Sequence, residues 1–257
     1  MSVHIHLEGP VLVVAIDRPE VRNAVDRPTA DALLEVFERF DDDPAQHVAV
    51  LTGTGGTFCA GADLHAVGVD PERTNRLERS ERGPMGPTRL QLGKPVIAAV
   101  EGYAVAGGLE LALWADLRIV AEDAVLGVFC RRWGVPLIDG GTVRLPRLIG
   151  QARAMDLILT GRPVDAEEAL AIGLATRVVS SGSALAEAVT LAHQLAALPR
   201  TTMLADRASV LASHDLSLAD ALLAEHDGGL AAIDAGGMQE GLARFRAGQG
   251  RHGGSAT

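Results

Sequence analysis

Gly102-Tyr-Ala-Val-Ala-Gly-Gly-Leu-Glu-Leu-Ala-Leu-Trp-Ala-Asp116 is the stretch on which the reading of this chain turns. The apolar run Lys94-Pro-Val-Ile-Ala-Ala-Val100 leads into it as a buried strand. After Gly107 and Gly108, the residues Leu109, Leu111, Ala112, Leu113 and Ala115 suit a buried helix. A strand, a glycine turn and a helix leave backbone N–H groups unpaired at the helix start, aimed at whatever sits there. Glu110 falls in the first helical turn and is the one acidic or basic side chain charged near pH 7 between Glu101 and Asp116. Two readings stand. Glu110 is a helix-start charge favoured by the dipole, or it is a carboxylate set beside oxyanion-stabilising backbone for chemistry at a carbonyl.

A second segment repeats the pattern. Val48-Ala-Val-Leu-Thr52 reads as another buried strand, followed by Gly53-Thr-Gly-Gly-Thr-Phe-Cys-Ala-Gly-Ala-Asp-Leu64 and a helix expected to start near Ala62. Two such units can supply one N–H each to a single oxygen. The pair resembles the crotonase (enoyl-CoA hydratase/isomerase) superfamily, and the resemblance runs along roughly residues 10–180. Arg18-Pro-Glu-Val-Arg-Asn-Ala24 is similar to that family's early Arg-Pro-x-x-x-Asn-Ala segment, and Phe58-Cys-Ala-Gly-Ala-Asp-Leu64 to its Phe-x-Ala-Gly-Ala-Asp loop. The segments Asp116–Ala124, Gly140–Gly150 and Thr160–Leu174 continue it in the expected order.

Composition agrees with a folded domain of that size. The 257 residues are 47% apolar and 3% aromatic, so Leu, Val, Ile and Ala must fill the core. Apolar runs stay short of the roughly 18 residues a membrane helix needs, and no membrane association is expected. Met-Ser-Val-His-Ile-His lacks a basic region and an apolar signal core, which points to the cytoplasm. Two cysteines, Cys59 and Cys130, make no disulfide framework. A net charge of −10 argues against nucleic-acid binding, which needs an electropositive surface. His4 and His6 would share one strand face, but two histidines without a third ligand do not make a metal site.

Along the chain, residues 3–7 and 11–16 read as strands joined by a tight turn, and 28–40 as an amphipathic helix stopped by Pro44. Residues 69–87 are arginine- and glutamate-rich and read as a helix with a mobile flank, or as a loop that is solvated without ligand and orders when a ligand binds. Strands follow at 96–100, 117–121 and 125–128. Asp165-Ala-Glu-Glu168 is a capping box, with Gly173 placed to end its helix in a left-handed turn. Alanine- and leucine-rich helices are expected near 183–197, 200–213, 217–235 and 237–247, then a disordered tail from Gly248. Repeated strand–turn–helix units suggest a stacked spiral. The fold expected is therefore α/β: a crotonase-like β/α spiral core over 1–198 carrying the site, and a C-terminal helical region over 199–257. The resemblance makes that second region the contact of a homotrimer, or of a hexamer built from two trimers.

The resemblance also assigns roles residue by residue. The backbone N–H groups of Ala62 and Gly107 would form an oxyanion hole for the thioester oxygen of an acyl-CoA, with Glu110 as the acid/base. Removing one such donor costs roughly 3 to 4 kcal/mol in a well-studied case. Ala60, Asp63 and Leu64 would flank the adenine and pantetheine of CoA, Asp63 having the alternative of a cap or loop hydrogen bond. Arg22 would meet the CoA phosphates or make a surface ion pair. Phe245 would approach the CoA of a neighbouring subunit, with Arg244 or Arg246 supplying the nearby cation. At Leu126-Gly-Val-Phe-Cys130 the chain departs from the pattern, because Cys130 stands where hydratases carry their second glutamate. A thiol with a pKa of about 8.5 is a poor base near neutrality, and Cys130 is read as a buried, inert side chain. Asp139, in Leu137-Ile-Asp-Gly-Gly141, is then the candidate second carboxylate, unless it merely serves the glycine turn. Arg131 and Arg132 would neutralise an anionic acyl group or bridge to surface carboxylates. The activity implied is a lyase of fatty-acyl-CoA metabolism, an enoyl-CoA hydratase without metal or separate cofactor, CoA being part of the substrate. The alternatives are enoyl-CoA isomerisation and acyl-CoA binding without turnover.

Overall fold

A computed structural model describes residues 2–248 of the chain. It divides into two compact units, Met1–Ala192 and His193–Thr257. The tail expected beyond Gly248 lies outside the described residues.

The first unit is built on a six-stranded sheet. Strands β1 (Val3–Glu8) and β2 (Val11–Ile16) form an antiparallel hairpin, with Val3 opposite Ile16 and Glu8 opposite Val11. Parallel to β2 run β3 (Val48–Gly53), β4 (Val96–Val100), β6 (Leu117–Ala121) and β9 (Arg177–Val179), in the order β1-β2-β3-β4-β6-β9. The central strands are buried except at the end of β3, as their apolar runs Val48–Leu51 and Val96–Val100 require. A second, three-stranded sheet joins β5 (Tyr103–Val105), β7 (Val125–Gly127) and β8 (Pro163–Asp165). Each of β5 and β7 follows a strand of the large sheet after a short turn, so the chain steps repeatedly from one sheet to the other. That is the spiral expected from the repeated units.

Helix α1 (Arg27–Asp42) starts on Asp26, whose side chain accepts from the Thr29 N–H, and buries Leu33, Leu34, Phe37 and Phe40. Lys94 ends it, its buried ammonium donating to the carbonyls of Phe40 and Asp43 at 2.5 and 2.6 Å. Helix α2 (Gly107–Trp114) is buried on almost every side, and α3 (Gly141–Ile149) and α4 (Gln151–Thr160) follow β7. Helix α5 (Ala166–Ala171) has the expected cap, with Asp165 Oδ1 accepting from Glu168 N at 2.8 Å. Glu168 does not reach back to complete the box, because its carboxylate pairs with Arg162 at 2.6 Å.

Two local expectations fail. No helix starts near Ala62; residues 64–69 form successive turns. A long-range bridge between Val25 and Ala62 holds this backbone extended instead, with Val25 N on Gly61 O and Asp63 N on Val25 O. Residues 69–87 are likewise neither a helix nor a wholly solvated loop. Their outer part is exposed, but Asn75 and residues 83–88 are buried. Helix α6 (Ala184–Ala196) contains the division between the units. In the second unit α7 (Arg200–Ala212) packs on α8 (Leu218–Asp234) and α8 on α9 (Gly237–Arg246), leaving Leu218, Leu222 and Leu223 exposed.

Candidate active site

Where β5 turns into α2, Ala106 takes φ 55° and ψ −126°, a conformation costly for any residue with a side chain. Its N–H is held by Gly127 O at 2.9 Å and its carbonyl accepts from Glu110 N at 3.2 Å. The Gly107 N–H, first of the helix, is left without an acceptor among the described residues. The same is true of the Ala62 N–H in the extended segment after β3. These two segments touch. A Cβ on Gly61, whose φ is +101°, would fall 3.0 Å from the Gly107 nitrogen. Ala62 and Gly107 both line a cavity of about 390 Å³.

The loop carrying Ala62 is held by long-range bonds. Asn23, fully buried with φ 56°, donates to Thr54 O at 2.8 Å and Thr57 O at 2.6 Å. Asp63 is 1% exposed, and its Oδ2 accepts from Arg18 at 2.9 Å and from Arg73 at 2.8 Å. Both arginines also pair with buried Asp26, at 3.3 and 3.0 Å. The Asp26 carboxyl sits below its ordinary pKa: burial would raise it, but hydrogen bonds from Thr29 and Arg73 and the charge of Arg18 outweigh that. The Asp63 carboxylate also accepts from His65 N at 3.1 Å through Oδ1. These are loop hydrogen bonds of the kind set against CoA contact for this residue.

Glu110 projects from α2 into the same cavity and is 3% exposed. Its Oε1 accepts from the backbone N–H groups of Asp139 and Gly141, both at 2.8 Å. Successive N–H groups converge on one oxygen because Gly140 between them takes φ +99°, which a side chain would oppose. Oε2 has no protein partner among the described residues. Burial pushes the Glu110 carboxyl up to about 7; the Gly141 N–H acts against the rise, and nearby Asp139 adds to it.

Asp139 lines this cavity too and is 3% exposed. Its Oδ1 accepts from Met85 N at 3.0 Å and from the Thr88 hydroxyl, leaving Oδ2 without a protein partner among the described residues. Burial holds its carboxyl above the usual range, against the hydrogen bonds of Thr88 and Met85. Arg144, on α3, donates to Asp139 O at 3.0 Å and to Thr88 O at 2.7 Å, buttressing the turn from behind. Cys130 lies in the cavity wall on the short 3-10 turn after β7, and burial followed by the charge of Glu110 pushes its thiol up. It is a neutral thiol near pH 7. Burial holds Cys59 neutral as well, at about 12.

The remaining candidates divide. Ala60 and Leu64 line the cavity. Arg22 is exposed on the turn before the loop and does not line the cavity, but its carbonyl accepts from the N–H of the wall residue Ala60 at 3.0 Å. Phe245 is exposed on α9 in the second unit, where Arg244 donates to Ala197 O at 2.5 Å. Arg131 and Arg132 are not in the cavity wall: Arg131 donates to Ile158 O, and Arg132 stacks 3.6 Å over the Phe129 ring. His4 and His6 are exposed and pair separately with Asp17 and Glu8. Arg18, Asp26, Arg73, Asn75, Thr88 and Arg144 were not singled out as site residues from sequence, although Arg144 sits inside the quoted Gly140–Gly150 segment.

Comparison with known proteins agrees with this architecture. The family model described as enoyl-CoA hydratase/isomerase matches residues 6–249. The enoyl-CoA hydratase EchA19 of Mycobacterium tuberculosis is 39% identical over 196 residues, which are 74% of this chain and 72% of that protein. The carnitinyl-CoA dehydratase of Proteus mirabilis is 42% identical over 199 residues, covering 76% of this chain and 74% of its own. Among solved structures, enoyl-CoA hydratase EchA1 from Mycobacterium marinum matches with a TM-score of 0.90 and 34% identity, covering 100% of this chain and 99% of that one.

Proposed function

The chain belongs to the enoyl-CoA hydratase/isomerase family, and from that premise we propose that it adds water reversibly across the double bond of a 2-enoyl-CoA. The observation carrying this reading is the pair Glu110 and Asp139: two carboxylate residues lining a cavity walled by Ala62 and Gly107, each with one oxygen bound by the protein and the other without a protein partner among the described residues. The thioester oxygen takes hydrogen bonds from the N–H groups of Ala62 and Gly107, which stabilise negative charge arriving there. Asp139 accepts a proton from water as its oxygen bonds to carbon 3. The double-bond electrons move onto the thioester as an enolate. Glu110, protonated in a substantial fraction of molecules because its carboxyl is pushed up to about 7, then gives its proton to carbon 2 and the carbonyl re-forms. Exchange with solvent returns both carboxyls to their starting states.

In this scheme Cys130 occupies the place of the family's second glutamate but takes no proton, its thiol being held neutral. No metal or separate cofactor takes part, and CoA enters with the substrate. The walls around the carboxylates, among them Val67, Leu77, Met85, Val105 and Phe129, suit an apolar acyl chain. Arg22 and Phe245 are proposed to meet CoA, and trimeric or hexameric assembly belongs to the same proposal. No helix among the described residues is long and apolar enough to cross a membrane.

A panel of enoyl-CoA thioesters tests the reading, followed by loss of conjugated absorbance and by mass. A gain of one water is the expected result. An unchanged mass with a moved double bond would mean isomerisation, and binding without change would mean a protein that holds acyl-CoA without turning it over.

A further inference from the structure

We infer that Thr88 is a positioning residue for the proposed hydration: its hydroxyl, together with the Met85 N–H, holds one oxygen of Asp139 and keeps that carboxylate ready to accept the proton of water. The inference rests on the hydration scheme above, in which Asp139 is the base.

The grip on Asp139 starts from a closed turn. Gly83 N donates to Gly86 O at 3.2 Å and Gly86 N to Gly83 O at 2.9 Å, which ties the ends of Gly83-Pro-Met-Gly86 together. Gly86 takes φ +91°, and a Cβ there would strike the Ala30 carbonyl. Asn75 Nδ2 pins the turn by donating to Pro84 O at 2.8 Å. Closed in this way, the turn presents the Met85 N–H to Asp139 Oδ1 at 3.0 Å. Thr88 follows on the short 3-10 turn Pro87–Arg89, 1% exposed, and its hydroxyl bonds the same Oδ1. Arg144 fixes the Thr88 backbone by donating to its carbonyl at 2.7 Å. A Cβ on Gly83 would collide with Thr88 Oγ1 and fall 2.8 Å from Asp139 Oδ1, so glycine is what lets the turn and the carboxylate close on each other.

The direction of these bonds decides their effect. The Met85 N–H can only donate. Thr88 Oγ1 has no other hydrogen-bond partner among the described residues, so its proton goes to Oδ1 as well. Two donors on one oxygen stabilise a carboxylate over its acid. Oδ2, without a protein partner among the described residues, is left for the reaction.

The titratable groups around Asp139 do not take over this task. Glu110 on α2 accepts from the Asp139 N–H. Arg89 and Arg144 donate to the carbonyls of Ile138 and Asp139, not to the carboxylate. Burial followed by the charge of Glu110 keeps the Cys130 thiol in the cavity wall neutral. Burial raises the Asp139 carboxyl, and the Thr88 hydroxyl is the largest influence against that rise, ahead of Met85, Arg89 and Arg144. Thr88 makes no hydrogen bond to Glu110, whose donors are the N–H groups of Asp139 and Gly141. It therefore favours ionisation of the base and leaves the acid protonated, the separation of roles that the scheme needs.

The test is the pH dependence of kcat/KM for wild type, Thr88→Val and Thr88→Ser on the best enoyl-CoA, followed by loss of conjugated absorbance. Valine keeps the shape of threonine and removes the donor. The acid limb, set by Asp139, should move up by about one to two pH units in Thr88→Val, the worth of one hydrogen bond to a charged group, and return toward wild type in Thr88→Ser. The alkaline limb, set by Glu110, should stay in place. Infrared titration of the carboxyl band that Asp139→Asn removes reads the same shift without turnover, so a slow variant still gives an answer. An acid limb that does not move in Thr88→Val, an equal loss at every pH, or a serine variant that behaves like valine overturns the inference while leaving the hydration scheme standing. Wild-type turnover in Asp139→Asn overturns both.

Discussion

Glu110→Gln should make the protein more stable and less active at once, by amounts that depend on pH in a calculable way. The glutamine oxygen can accept from the Asp139 and Gly141 N–H groups as Glu110 Oε1 does, so the turn is kept. What changes is the charge. The folded carboxyl is pushed from 4.5 up to about 7, chiefly by burial. Below pH 4.5 it is protonated in both folded and unfolded chains and contributes nothing to the difference. Between 4.5 and about 7 the unfolded chain releases this proton and the folded one keeps it, so rising pH favours unfolding. Integrated over that window, the carboxyl costs the wild type about 1 kcal/mol at pH 5.5 and about 3 kcal/mol at pH 8.5. Glutamine removes the cost. Denaturant unfolding of wild type and variant at those two pH values reads the difference directly, and thermal unfolding at pH 8.5 should show a rise of roughly 6–12 °C. Turnover on the best enoyl-CoA should meanwhile fall by about 10² to 10⁴. A stability difference that does not grow with pH, or a glutamine variant less stable at pH 8.5, would show that Glu110 is not held protonated by its surroundings. Retained turnover would remove it from the reaction.

Hydration should slow as pH rises through about 7, because the proposed proton donor to carbon 2 is then lost; an alkaline limb of kcat/KM that persists in Glu110→Gln would assign it to another group. Asp139→Asn should cost about 10² or more in kcat while Cys130→Ser keeps most activity, and the reverse pattern in steady-state kinetics would make the thiol the second functional group. Arg144→Gln removes a cation that favours ionisation of both carboxyls and braces the Asp139 turn. It should move the alkaline limb upward, with Arg144→Lys partly restoring it; an unmoved pH profile would reduce Arg144 to a structural role.

The elements legible in the sequence are those whose signals are local. Val96–Val100, the glycine pair and the apolar helix behind it are contiguous, so strand, turn and first-turn Glu110 follow from about twenty residues of sequence. Helix α1 and the helices after residue 183 declared themselves by periodicity and composition in the same way. The three-residue strand β5 did not, because a segment that short exists only by pairing with β7 and Cys59. The helix expected after Ala62 was lost to partners far along the chain: Val25 bridges its backbone, and Arg18 takes Asp63 across 45 residues. The candidate site shows the same division. The sequence could name Glu110, Asp139 and the two backbone donors as residues of suitable chemistry, with Cys130 as the departure. Only the tertiary structure decided that Asp139 N holds Glu110, that Met85 holds Asp139 across 54 residues, and that Asn75 leaves an acceptor unmet. A residue's chemistry belongs to its side chain. Its protonation, its partners and what it can still bind are set by burial and by neighbours that folding brings from elsewhere in the chain.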